Sequence, residues 1–517
     1  MAKINLDALI CREDFGVLGE QSQSNLFSNL PINQLISPVL YPFLRKPDFQ
    51  RETNEWDEKK ISGFIESFLN GELIPSIILW RNPTGYYFVI DGAHRLSALI
   101  SWVYDDYGDG KYSREFYQNN ISEEQLVNAE KARKYINRNI GSYVDVMNAT
   151  QQESGSAKHL LEKAKSLGAY SIQVQWVDGD VSKAEKSFFK INQQASKIDK
   201  TELKLLKSRK KPNCIAARAI IRRGEGRHYW SDFSAENQNR IEDISKEISD
   251  LLFSPALKTP VKTLDLPLGG KQMTAASLPL ILDFVNLAND VKSENEQELE
   301  NDTTGDSTVH FLNRARKLIW RINSTHASSL GLHPAIYFYS REGKHKPASF
   351  TFTISFIKQL AKQNKLNGFT EKREKFEEFI LNYDYLVQQL WRKYRQTSKA
   401  IPHVIDFYMF VLELLDQDED VRFTLSKIKT NKKFDFLNIN EEIENNIPQR
   451  SVFDTNQKSA VFIKDALGSS LKCKICNGYI HKNSITIDHI KRKEDGGLAN
   501  INNGQIAHPY CNTTYKN

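Results

Sequence analysis

The chain is poor in cysteine, proline and glycine, and it has no long apolar run. Five cysteines in 517 residues cannot make a disulfide scaffold. With only 25 glycines and 16 prolines, collagen-like and low-complexity classes are excluded. No apolar stretch approaches the ~20 residues of a membrane span. The opening residues, MAKINLDALICRED, show no apolar core followed by a cleavage site. A cytoplasmic protein with no membrane partner is expected. A large charge of one sign is missing too: 70 Lys and Arg against 64 Asp and Glu leave +6, which permits nucleic-acid binding without requiring it.

What is present suffices for folding. Hydrophobic residues are 40% and charged residues 26% of the chain, so real cores can be buried. At ~150 residues per domain, about three domains are expected. Texture divides the chain into a mixed region over 1–205, a mainly helical middle over 206–455 and a Gly/Asn-rich tail over 456–517. In the first region two apolar runs, 76–80 and 86–90, flank the turn signal Asn82-Pro83-Thr84-Gly85 and predict a strand pair. Helical spacing over 57–70, stopped by Gly71, and over 96–104 brackets them. Helices are predicted at 237–253, 276–291, 370–394 and 405–415. The stretch 294–306 has six acids and no base and predicts an exposed, mobile loop. Leu330 to Tyr339, with His333, reads as packing.

The tail carries the strongest chemical signal. Cys473-x-x-Cys476 is followed by 31 residues and then His508-x-x-Cys511. Two such knuckles supply the four N or S ligands that a tetrahedral zinc requires. A segment of about 60 residues has little core of its own, so metal binding of order 10 kcal/mol could supply its stability. Between the knuckles, Ile485 to Ile490 alternates like a strand that ends on Asp488 and His489. Gly496-Gly497, Asn500, Asn503 and Cys511-Asn512 follow. This pattern of CxxC, DHI, GG, a middle Asn and HxxCN resembles the HNH nucleases of the ββα-metal class, over about 45 residues. The resemblance implies His489 as general base and Asp488 and Asn512 as ligands of a catalytic Mg²⁺ or Mn²⁺. It implies Asn503 as the residue bracing the loop that carries His489, with Asn500 and Asn502 as rivals. The chemistry suits: imidazole titrates in the physiological range, and carboxylate and amide oxygens suit Mg²⁺. His508 stands where the family more often has Cys. Lys491, Arg492 and Lys493 follow the base and are candidates for holding flanking phosphates of DNA; a solvated loop is the alternative.

A second signal lies in the first region. Asp91-Gly92-Ala93-His94-Arg95 joins the second apolar run to a helix. A glycine turn entering a helix presents unpaired amides and a positive dipole end, to which His94 and Arg95 would add donors. Arg95 could instead pair with Asp91. Gln50-Arg51 and Trp56, then Ile74-Pro75, the strand pair, DGAHR, Phe189-Lys190-Ile191-Asn192 and Glu202 complete an order. That order is similar to the N-terminal domain of GmrSD-type restriction enzymes, a ParB/sulfiredoxin-like fold, over about 150 residues. The resemblance implies that Asp91, Gly92, His94, Arg95, Gln50 and Arg51 bind or hydrolyse a nucleoside triphosphate, or sense modified DNA. Ala93-His94 replaces the family's two glutamines, which bears on hydrolysis more than on phosphate binding. Asn192 is either a supporting residue or a buried structural amide. Beyond it, 197–227 holds eleven Lys/Arg against three acids, and Lys204, Lys207 and Lys211 predict a cationic, DNA-contacting helix face, or a merely solvated one.

The expected architecture is a multidomain α+β chain: a ParB/sulfiredoxin-like α/β domain, a helical middle and a zinc-stapled HNH domain. The expected function is DNA cleavage in modification-dependent, anti-phage restriction, gated by nucleotide or modified phage DNA. Cutting both strands with one site per chain would call for a homodimer. The alternatives are a non-cleaving, nucleotide-switched DNA-binding regulator, or an NTPase with a vestigial HNH tail.

Overall fold

The computed structural model describes residues 3–13, 27–47, 50, 53, 55–117, 119, 121, 123–149, 158–195, 208–224, 230, 232–272, 277–292, 295–415, 421–439 and 453–516. They form two compact units, Met1–Arg209 and Lys210–Asn517. The chain is multidomain and mixes helix and sheet, with the larger sheet in the first unit and a two-stranded ribbon near the C-terminus. Among the described residues no helix is long and apolar enough to cross a membrane.

The first unit is built on a six-stranded sheet in the order β1-β3-β5-β4-β6-β2. Its strands are β1 Cys11–Glu13, β2 Asn29–Pro31, β3 Leu44–Pro47, β4 Ile77–Arg81, β5 Tyr87–Asp91 and β6 Ser171–Trp176. The two predicted apolar runs are β4 and β5, an antiparallel pair. Their turn is tied by the Tyr86 amide donating to Asn82 Oδ1 at 2.8 Å, with Gly85 at φ +92°. The neighbours β3 and β6 run parallel to them. The helix Glu58–Leu69 is capped by Asp57, and Gly71 at φ +67° closes it as predicted. One sheet face packs a large core that includes Ile61, Ile65, Leu79, Val89, Leu96 and Trp102. The other packs Trp80, Phe88, Ile90 and Phe188. This two-sided burial explains why β4 and β5 read as continuous apolar runs rather than alternating ones.

The second unit packs helices Pro212–Ile221, Ala235–Phe253, Ser277–Ala288 and Asp306–Ile322 against one another, followed by Pro347–Lys362, Arg373–Tyr394 and Thr397–Leu414. The predicted 370–394 helix is broken at Lys372, and a further non-helical residue, Tyr383, lies inside Arg373–Tyr394. Helix Thr455–Gly468, opened by an Asp454–Gln457 capping box, leads into the C-terminal ribbon of β7 Thr486–His489 and β8 Gly504–Ala507.

One expectation is met only in part here, and another is overturned. The acidic stretch is exposed only in part: Glu298, Glu300 and Asp306 face solvent, whereas Glu296 and Asp302 are buried. Glu296 is 3% exposed and accepts the Asn213 amide at 2.9 Å, while Asp302 caps the next helix by accepting the Gly305 and Thr308 amides at 2.8 and 2.7 Å. Two of its acids are thus spent on buried donors, and the other described ones are exposed. Lys211 likewise does not extend a cationic helix face. It is the N-cap residue of Pro212–Ile221, and its ammonium donates to the Glu296 carbonyl at 3.0 Å. Every residue of that helix is buried, Arg218 included. Lys204 and Lys207 lie outside the described residues.

Candidate active site and zinc centre

Four side chains converge at the start of the C-terminal ribbon. The donor atoms of Cys473, Cys476, His508 and Cys511 all lie within 4.8 Å of one another, and all four residues are buried. His508 Nδ1 is 3.4 Å from Cys476 Sγ and 3.8 Å from Cys511 Sγ. Tetrahedral zinc with Zn–S near ~2.3 Å demands edges of about 3.5–3.8 Å. Nε2 of His508 is 3.1 Å from the Tyr479 carbonyl, which fixes the ring with Nδ1 facing the thiols. Hydrogen bonds from Cys476 and Cys511 hold the Cys473 thiol far below its usual range. The bond to Cys473 pushes Cys476 up to about 11, and Cys511 is pushed higher still by Cys473 and Cys476. Three thiols this close cannot all ionise by themselves; a central divalent cation removes the conflict. The cluster is consistent with structural zinc.

The ribbon then presents the nuclease-type residues. In β7, Asp488 pairs with Gln505 and His489 with Gly504. Side-chain alternation puts Thr486 and Asp488 on one face and Ile487 and His489 on the other. Asp488 is 5% exposed, and its Oδ2 accepts Gln505 Nε2 at 2.7 Å and Lys516 Nζ at 2.6 Å. No described residue hydrogen-bonds Oδ1. Asn512, in the π-helical turn Cys511–Tyr515, lies over the same face: its amide nitrogen is 3.3 Å from Thr486 Oγ1 and 3.4 Å from the Ile487 carbonyl. His489 ends the strand, and its Nε2 is buried with no hydrogen-bond partner among the described residues.

Asn503 is the residue that spans the loop. Its Oδ1 accepts the Lys491 amide at 2.7 Å, and its Nδ2 donates to the Lys491 and Leu498 carbonyls at 3.1 and 2.9 Å. Of its rivals, Asn500 accepts the Asn503 amide at 3.0 Å and so caps the turn. The loop doubles back tightly: a Cβ at Gly497 would lie 1.9 Å from the Lys491 carbonyl. Lys491, Arg492 and Lys493 are exposed on it. Three hydrogen bonds at ~1 kcal/mol each hold the loop beneath His489. Asn503→Ala is therefore expected to lower DNA cleavage at least ~10-fold while zinc content stays at the wild-type level; unchanged cleavage would remove Asn503 from the site.

The seating of this module on the helices was not visible in the sequence. Arg373 and Glu377 are each 1% exposed and form an ion pair at 2.7 Å. Arg373 donates to the Leu330 and Gly331 carbonyls and lies 3.3 Å from His508 Nδ1. Glu377 accepts the Tyr479 amide at 2.8 Å and the Tyr337 hydroxyl at 3.0 Å. Gly331, at φ +61°, packs so closely that a Cβ would lie 2.5 Å from the His508 ring. The Leu330–Tyr339 stretch does pack, as expected, but it packs against the zinc centre. No periodicity marks such long-range pairs; the only local hint was an Arg and a Glu four residues apart on a helix.

In the first unit, Gly92 turns the chain at φ +101° and starts the helix Ala93–Val103, which no described side chain caps. A Cβ there would meet Ile77 at 2.6 Å. Arg95 takes the alternative left open for it: Nη2 pairs with Asp91 at 2.5 Å, and Nη1 donates to the Pro75 and Ser76 carbonyls. His94 stacks on Trp56, with centroids 5.8 Å apart. Gln50 Oε1 is buried without a hydrogen-bond partner among the described residues, and its carbonyl accepts from Arg12. Arg12 belongs to a buried cluster missed in the sequence, in which Asp7 Oδ1 accepts from Arg12 at 3.0 Å, Lys46 at 2.5 Å and the Thr53 amide at 2.9 Å. Burial pushes the Lys46 ammonium down to about 8. Arg51 and Glu202 lie outside the described residues; Asn192 is on the helix Val181–Ala195.

A buried Cys3His cluster thus sits beside a two-stranded ribbon whose first strand ends in Asp-His. In comparison with protein-family models, residues 473–517 match HNH endonuclease, and residues 26–209 match the GmrSD restriction endonuclease N-terminal domain. No curated protein and no solved structure matches the chain. The chain thus joins a GmrSD N-terminal domain to a C-terminal HNH endonuclease domain. The two support a restriction-type DNA endonuclease, with DNA as the partner.

Proposed function

We propose that the C-terminal domain cleaves DNA by His489-assisted, metal-dependent hydrolysis, and that the N-terminal domain gates it in response to nucleotide or modified DNA. The observation that carries the cleavage reading is His489 at the end of β7, whose Nε2 is buried and has no hydrogen-bond partner among the described residues. In this reading Nε2 takes a proton from water, the water oxygen bonds to phosphorus, and the opposite P–O bond breaks. Asp488 Oδ1 and Asn512 would hold Mg²⁺ or Mn²⁺, which when bound offsets the charge developing on the phosphate. Lys491, Arg492 and Lys493 contact flanking phosphates. We read the parts as 1–205 sensing, 206–455 positioning and 456–517 cutting, and the six-stranded sheet as a ParB/sulfiredoxin-like fold.

The nucleotide site lies over Gly92, where the uncapped helix amides and His94 receive phosphate. Arg95 fixes the turn by holding Asp91 and the 75–76 carbonyls. Arg95→Ala is expected to weaken nucleoside triphosphate binding at least ~10-fold in a calorimetric titration; unchanged affinity would count against a phosphate site here. The whole reading is tested by cleavage of modified against unmodified phage DNA, with Mg²⁺, in the presence and absence of nucleotide. Cleavage indifferent to both would leave a nuclease without a gate.

A further inference from the structure

Lys516 reaches Asp488 by an uncommon backbone path. The turn Cys511–Tyr515 is wound as a π turn, and the Lys516 amide bonds back to the Cys511 carbonyl at 3.1 Å. Single π turns are rare and recur at functional sites. The turn is anchored at its start by a cysteine of the zinc cluster, and at its end by the Arg492 guanidinium on the Lys516 carbonyl. The Lys516 side chain is 18% exposed. Its ammonium sits on Asp488 Oδ2 and also donates to the His489 carbonyl. An exposed ion pair contributes little; this one holds a lysine against a carboxylate whose side chain is 7% exposed.

The charge balance that results is unusual for a divalent-metal site. Asp488 contributes one negative charge and Lys516 matches it. Gln505, Asn512 and Thr486, which lie along the same strand face, are uncharged. Oδ2 is occupied and Oδ1 is open. Among these described residues a hard divalent cation approaching Oδ1 therefore meets no net negative charge and a nearby ammonium that opposes it. A phosphodiester brings the missing charge. We propose, building on the catalytic reading above, that Lys516 is a positioning residue that makes divalent-metal loading at Asp488 depend on bound DNA.

The test is Mn²⁺ binding, not turnover. Full-length His489→Ala protein is titrated with MnCl₂, alone and with a short duplex, while free Mn²⁺ is followed by EPR and corrected for the duplex by itself. Duplex is expected to tighten Mn²⁺ binding ~10-fold or more. Adding Lys516→Gln is expected to tighten DNA-free binding by a similar factor and to shrink the DNA effect, whereas Lys516→Arg keeps it. Zinc content of the same samples reports whether the turn is intact. Mn²⁺ affinity indifferent to duplex overturns the proposal without any Lys516 variant, and affinity indifferent to Lys516→Gln with zinc retained overturns it too. Wild-type nicking run in parallel separates the two ideas. Nicking that requires His489 beside Mn²⁺ binding indifferent to Lys516 removes this inference alone; no nicking at all removes the catalytic reading and this inference with it.

Discussion

His489→Ala is expected to slow Mg²⁺- or Mn²⁺-dependent nicking of plasmid DNA by at least ~10²-fold, the lower end of what a positioned general base contributes. The size follows from the role: with the imidazole gone, no side chain at the end of β7 takes the proton of the attacking water. The fold should not suffer. His489 is the last residue of its strand, faces Gly504 across the ribbon and has no hydrogen bond at Nε2 to lose. Zinc content and thermal unfolding should therefore match wild type. The measurement is initial nicking rate against protein concentration. Equal rates for wild type and variant would assign the activity to another site or to contamination, and would leave the non-cleaving regulator as the better account of the tail.

Cys473→Ser should have the largest effect on stability. Wild type is expected to hold roughly one zinc per chain, and the variant none. The apolar cluster of the module is small: Ile480 and Ala507 join the three cysteines, with Ile475 and Ile506 packed at the side. Without the ~10 kcal/mol that structural zinc can supply, 473–516 is expected to open. The damage should spread. Glu377 would lose the Tyr479 amide and Arg373 its packing against His508, which leaves charges in a site built to be dry. Limited proteolysis should therefore cut first within 473–516 and then faster than wild type near Leu330–Tyr339. Elemental analysis that finds no zinc in the wild type, or a variant whose 473–516 segment stays protected, would contradict this account.

The parts of the site that could be read in advance are those whose chemistry is local. The zinc ligands come as two x-x pairs, Gly92 stands where only a left-handed turn lets β5 enter a helix, and Asn82 to Gly85 closes a hairpin with its own side chain. Asn503 could be narrowed to three candidates but not chosen among them, because the choice depends on which amide spans the Lys491–Leu498 gap. Strands β1, β2 and β3 were invisible: they are three or four residues long, and β3 carries a lysine that is fully buried only because Asp7 and Thr53 receive its ammonium. The acidic stretch misled at Glu296 and Asp302 for the same reason. Composition reports how many charges a segment has, not whether partners elsewhere receive them.

By itself the sequence determined the class of chemistry: a stapled ribbon ending in Asp-His, and a glycine turn feeding a helix, both encoded by ligand type and short spacing. Only the tertiary structure decided how that chemistry is held. Glu377 reaches the zinc module across 102 residues and Arg373 across 135, Arg95 is committed to Asp91, and Lys516 is set on the carboxylate that a metal would need. Such pairings leave no periodicity or motif, because a charge finds its partner through the packing of whole helices and strands rather than through its neighbours in the chain.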